Sequence, residues 1–221
     1  DSSQKHWDEW TKGSGISAEI TEKCLQSLDN RQEIAKKLGW KGYPTYHPLG
    51  WFVSGISLLT LKPLVFGQFK PDTPILLSPE DEKPAKYLTP KNIPYDAIAL
   101  PVRDWAEVIE DHSIHVIVSE GAKKAGALET CKYPTLALAG VEMGLKNGKL
   151  VPNLDAIAVK YRPITFCFDA DQNTKETVCD AQIRAATAVK KKGAIVYVVP
   201  GWDISLGKGI DDVLANHGPE K

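Results

Sequence analysis

The sequence predicts an α/β protein, a smaller α+β part followed by a parallel sheet flanked by helices. Three observations point there. From Ser113 onward, apolar runs of about five residues alternate with helical segments, which is the pattern of β-α-β units. Before that point, short strand-like runs broken by Pro and Gly follow a helical opening. The chain has 221 residues, 43% hydrophobic and 25% charged, enough to bury a sizeable core. The change of pattern divides it into residues 1–112 and 113–221.

The elements follow in order. Trp7 and Trp10 sit three apart, as one helix face requires, and "SGIS" breaks that helix. Ser17 is an N-cap for Ala18 to Leu28, with Ile20, Cys24 and Leu28 at spacing four. Asp29 or Asn30 caps a second helix, Arg31 to Leu38, stopped by Gly39. This helical pair serves either packing or, as a helix-turn-helix, DNA reading. The runs Trp51–Val53, Ile56–Leu61, Ile75–Leu77 and Ile98–Leu100 read as short strands, and residues 103–111 as a helix capped by Asp104. Strands are then expected at Ile114–Val118, Thr135–Val141, Ile164–Phe168 and Ala194–Val199. Helices are expected at Gly121–Thr130, Lys175–Lys192 and from Asp211 to Ala215.

Composition narrows the function. The net charge is −1, so any nucleic-acid binding must rest on local patches. Cys24, Cys131, Cys167 and Cys179 are widely spaced with no C-x-x-C, which speaks against a zinc site and a disulfide framework and for a reducing, cytoplasmic setting. No apolar run approaches a membrane span and no signal peptide is visible. The chain opens at Asp1 rather than Met, as a fragment of a longer protein would.

Two strands end in acid: "IHVIVSEG" in Glu120 and "ITFCFDAD" in Asp169 and Asp171. In an extended chain, residues i and i+2 point the same way, so the two aspartates can converge, with Glu120 on a neighbouring strand. Like charges this close repel unless a cation lies between them. Mg²⁺ suits such oxygen ligands and would assist phosphoryl transfer. Each piece has a plainer use as well: Asp caps helices, and Gly121 can simply open a turn. Downstream, "LGKGIDDVL" places Lys208, Asp211 and Asp212 in a glycine-flanked loop. It reads either as a turn with an N-cap, or as a phosphate-binding lysine with a further carboxylate.

The ordered set Glu-Gly, then D-x-D, on alternating strands and helices resembles the TOPRIM domain of DnaG-type primases, topoisomerases and OLD-type nucleases. "SEGAKKAGAL" looks like the family's E-G-x-x-D-A-L, "LALAGV" its following strand, and "GKGIDDVL" its G-K-D-P-D-E-x-L. Upstream, "WDEWTKGSGISAEITEKC" resembles the primases' Y-L-x-x-R-G-I-s opening, and "KPAKYLTPKNIP" their K-Y-x-N-S-P template-side segment. The resemblance runs from about residue 7 to 217 and favours primases of the plasmid, phage and mobile-element kind.

It implies that Glu120, Asp169 and Asp171 are catalytic and, with Asp211, hold Mg²⁺ or Mn²⁺. It implies Lys208 and Lys124 for nucleotide phosphates, and Lys86, Tyr87, Lys83 and Lys91 for a single-stranded DNA template. Nucleoside triphosphates and a fused or separate helicase would be the other partners, with no membrane. The departures are Lys124 for an acid, Gly209 for an aspartate and Ser14 for an arginine. The competing expectations are a metal-dependent nuclease and a non-catalytic docking module.

Overall fold

The structure is a computed structural model and describes residues 2–43, 49–78, 80–170 and 176–220. The helical opening consists of α1 (Ser2–Ser14), α2 (Ala18–Cys24) and α3 (Arg31–Leu38), with a short strand β1 (Gln26–Leu28) before α3. Ser17 caps α2 by accepting from the Ile20 amide, and Asn30 caps α3 by accepting from Gln32 and Glu33. Gly39 ends α3 at φ 65, a left-handed position that glycine reaches without a Cβ penalty. The helix expected to run to Leu28 stops at Cys24, because Gln26–Leu28 pairs instead with the next strand.

Strands β2 (Gly50–Ile56) and β3 (Pro63–Pro71) form an antiparallel hairpin. The expected strand Ile56–Leu61 is mostly the loop of that hairpin, closed by Ser57 N–H to the Lys62 carbonyl and Leu61 N–H to that of Ser57. The expected strand Ile75–Leu77 is reduced to one bridge, Ile75 with Ala85. Then follow β4 (Ile98–Ala99), α4 (Trp105–Glu110) capped by Asp104, β5 (Val116–Glu120), α5 (Ala122–Thr130) and β6 (Thr135–Leu138). A small hairpin, β7 (Leu145–Lys146) and β8 (Lys149–Leu150), leads into α6 (Pro152–Ile157). The chain closes with β9 (Pro163–Cys167), α7 (Glu176–Lys191), β10 (Ile195–Val198) and α8 (Ile210–His217).

Seven of the strands form one path, β1-β2-β4-β6-β5-β9-β10, and β3 pairs β2. The half from β6 to β10 is parallel and the half from β1 to β4 antiparallel, joined where Ile98 and Ala99 pair with Ala137 and Leu136. The sheet is thus hydrogen-bonded across the 112/113 position. Val116, Val118, Leu136, Leu138, Ile164, Phe166 and Phe168 face α7 and α6 in the larger core. Trp10, Ile16, Ile20, Ala122 and Ala125 form a second core, and Ile34, Leu38, Phe52 and Phe69 a third under α3.

The connection from β5 through α5 leads to β6 on one side, whereas β9 lies on the other side of β5 and runs through α7 to β10. The crevice beyond the carboxyl ends of β5 and β9 is therefore a topological switch point, the place where such sheets bind ligands. Among the described residues, no helix is long and apolar enough to cross a membrane.

Candidate active site

A cleft of about 310 Å³ opens at that switch point. Its walls bring together Glu120, Lys124, Asp169, Lys208, Asp211, Lys86 and Tyr87 from four separate parts of the chain. A separate groove of about 750 Å³ along α3 is lined by Arg31, Lys36, Lys41 and Trp40 and shares no residue with it.

Local structure places each group. Glu120 ends β5, and Gly121 turns the chain into α5 at φ 84, with its N–H on the Leu138 carbonyl at 2.7 Å. The next amide, Ala122, donates to Gln68 Oε1, and Gln68 Nε2 donates to the Ala139 carbonyl, so β3 holds both strand-end loops. Asp169 follows β9. Ile164, Phe166 and Phe168 are all buried in the larger core, which leaves Asp169, out of phase with them, on the cleft wall. The Ala170 N–H donates to the Lys208 carbonyl at 2.8 Å, tying the loop after β9 to the loop before α8. Asp212 Oδ2 accepts from the Gly209 amide as a helix cap, while Asp211, 5% exposed, accepts from Ser14 Oγ at 2.8 Å.

Charges in the cleft are closely matched. Lys124 Nζ lies 2.9 Å from Asp169 Oδ1, and Lys208 Nζ lies 3.6 Å from Asp169 Oδ2. Burial pulls the Lys124 ammonium toward its neutral form, but Asp169, and then Asp211 and Glu120, outweigh it and hold the group above the ordinary lysine range. Lys123, one residue earlier, pairs with Glu9 at 3.0 Å, and Lys70 pairs with the same carboxylate at 2.7 Å. Burial raises the Glu9 carboxyl, yet Lys123 and Lys70 together hold it below its usual value. Two lysines in the first turn of α5 oppose the helix dipole, and each is compensated by an acid from another element.

Lys86 and Tyr87 line the open side of the cleft, with the Tyr87 ring edge-on to Trp51 at 6.0 Å. Burial raises the Tyr87 hydroxyl pKa, so this group stays neutral near pH 7. Lys83 and Lys91 are not brought to the cleft. Lys91 stacks over Trp40 at 5.2 Å and lines a separate groove with Leu76 and Leu77. Asp171 lies outside the described residues. The sequence marks Ser14 only as a departure from the family's arginine, and it does not mark Gln68 or Glu9 as parts of this site.

Among the described residues, no group of three or more His, Cys, Asp or Glu side chains forms a ready metal cage. Glu120 and Asp169 nonetheless share the cleft, and two carboxylates fit Mg²⁺, which commonly takes one or two and completes its shell with water and substrate phosphates.

The chain belongs to the family described as Domain of unknown function (DUF3854), whose model matches residues 104–221. An uncharacterized protein of Picosynechococcus sp. is 30% identical over 97% of the chain, which spans only 26% of that relative's length. Among solved structures, the fold is that of DnaG-type primase catalytic cores. The zinc-binding and RNA polymerase domains of the Aquifex aeolicus primase match with a TM-score of 0.61 at 14% identity, over 96% of this chain and 52% of that one. The E. coli primase catalytic core matches at 0.59 and 12%, over 98% and 71%. A DnaG primase catalytic domain solved bound to single-stranded DNA matches at 0.55 and 13%, again over 98% and 71%.

Proposed function

We propose that this chain is the TOPRIM-type catalytic part of a primase that joins nucleotides into short RNA or mixed primers on single-stranded DNA, in replication of a plasmid, phage or mobile element. The observation that carries the reading is the convergence of Glu120, Asp169, Lys208 and Asp211 at one switch-point cleft, in a fold shared with primase cores. Glu120 and Asp169, with Asp171, would hold Mg²⁺ or Mn²⁺, which when bound offsets the charge of the reacting phosphates and orients their oxygens.

Lys208 contributes a cation from the α8 loop for the triphosphate. Asp211, fixed by Ser14, keeps a negative wall behind that lysine and Lys124. Lys86 and Tyr87 receive the template, the lysine by charge and the ring by stacking. Lys83 and Lys91 extend that basic surface away from the cleft. A cytoplasmic setting and a helicase, fused or separate, complete the picture.

A docking module is the second reading, favoured by the Lys124–Asp169 ion pair, which occupies carboxylate that an ion would otherwise use. A primer-synthesis assay separates the readings. It uses single-stranded DNA, labelled ribo- and deoxyribonucleotides, and Mg²⁺ or Mn²⁺, with wild type beside Asp169→Ala. Metal-dependent oligonucleotides that vanish in the variant support the primase. Degraded DNA supports a nuclease. DNA binding with neither activity, unchanged in the variant, supports the module.

A further inference from the structure

Lys124 and Gly209 come from different elements, yet they form one piece of packing. A Cβ built on Gly209 would lie 2.6 Å from Lys124 Cε and would also collide with the Asp211 carboxylate. Real side-chain carbons do not approach that closely, so a neighbour must shift, and each shift strains a polar contact that the neighbour makes. Lys124 is pinned by Asp169 at 2.9 Å, with its side chain only 17% exposed, and Asp211 is held by Ser14. The missing side chain at 209 is therefore the space through which the lysine reaches the acids. Its ammonium is the cation that three carboxylates share: Asp169 by direct contact, Asp211 and Glu120 through the field.

We propose that Lys124, seated by Gly209, is the resident cation of the cleft and limits it to one divalent ion, with the lysine in the place of a second. A fixed monovalent charge on Asp169 weakens that carboxylate's attraction for further cations, since each unit of positive charge a few ångström away opposes them. It also stabilises the acid cluster when no ion is bound, which an all-carboxylate cleft could not do without protonation. Lys124 acts here as a positioning residue.

The proposal deepens the reading above, and its test does not depend on primer synthesis. Mn²⁺ binding is followed by electron paramagnetic resonance and calorimetry on the full chain, for wild type, Lys124→Met and Lys124→Asp. Wild type is expected to bind one ion. Lys124→Met, similar in shape and neutral, is expected to bind about tenfold more tightly or better, and Lys124→Asp to take a second ion. Two ions in wild type, or unchanged affinity in Lys124→Met, would overturn the proposal.

A melting cycle tests the seat. Gly209→Ala is expected to lower Tm by roughly 4 °C or more in wild type, an overpacking penalty, and by measurably less in a Lys124→Ala background, where only the collision with Asp211 remains. Equal losses in both backgrounds would contradict the coupling. A wild type that makes no primers but shows both results would sink the primase reading alone and leave this one standing.

Discussion

Two of the places where the molecule encloses polar groups treat them differently. At the seam between the antiparallel and parallel halves, Asn153 is wholly enclosed: its Nδ2 donates to the Ile56 and Ala97 carbonyls and its Oδ1 accepts from Leu58 N–H. Asp96 accepts from the Asn153 and Ala97 amides. Nearby in the larger half, Arg162, also fully enclosed, donates to the carbonyls of Val108, Ile109 and Ile114. These partners are backbone groups, fixed by the fold and closed to ligands. At the switch-point cleft, carboxylates meet ammonium groups on flexible stems, at the edge of an open cavity. Backbone satisfaction rigidifies, whereas side-chain ion pairs can be exchanged for a substrate's own charges.

The largest expected effect that breaks this contrast lies at the seam. Asn153→Leu strands two carbonyls and an amide, and should cost about 3–5 kcal/mol, or roughly 10 °C in Tm, with single-stranded DNA affinity per folded molecule unchanged. A urea melt beside an anisotropy titration checks both halves of that statement.

Next comes pH. Burial raises the Asp96 carboxyl from 3.8 to about 6 despite its two amide donors. The folded state therefore holds a proton that the unfolded state releases. The Asp96 contribution to stability is fullest below about pH 4 and declines as pH rises through about 6, by on the order of 2 kcal/mol. Asp96→Asn keeps the acceptor, loses the charge, and should flatten Tm between those limits. A slope that persists in the variant would assign it to another group.

Smaller effects are expected at the rim of the cleft. Tyr87→Ala should weaken single-stranded DNA binding by about 1–3 kcal/mol with little change in salt dependence. Lys86→Ala should weaken it less and reduce the slope of log affinity against log salt by about 1. Lys91→Ala, outside the cleft, should do less than Lys86→Ala at equal salt.

The same contrast explains what the sequence could reveal. The parallel half was legible, since β5, β6, β9 and β10 are apolar runs separated by helical patterns, and Glu120 and Asp169 stand at strand ends that periodicity locates. Lys208 and Asp211 were legible from their glycine-flanked loop. The antiparallel half was harder. β3 carries Gly67, Gln68 and Lys70 among its apolar residues, and α6 is too short for a period to show. Glu9, and the contact of Ser14 with Asp211, were invisible because the partners lie far along the chain, 197 positions apart for Ser14 and Asp211. Gln68 supports both strand-end loops through an amide that no local pattern marks. The departure at Lys124 was visible, but its compensation by Gly209 appears only when α5 and the loop before α8 are packed together.

The central claim is that the cleft carries out nucleotidyl transfer while the seam only holds the fold. The most direct measurement is nucleotide incorporation on single-stranded DNA with Mg²⁺ or Mn²⁺, for wild type, Asp169→Ala and Asn153→Leu, at a temperature where all three are folded. The account expects Asn153→Leu to keep its rate per folded molecule and Asp169→Ala to lose at least about a hundredfold, close to 3 kcal/mol of barrier. Incorporation that survives Asp169→Ala, or that falls equally in both variants, would contradict it.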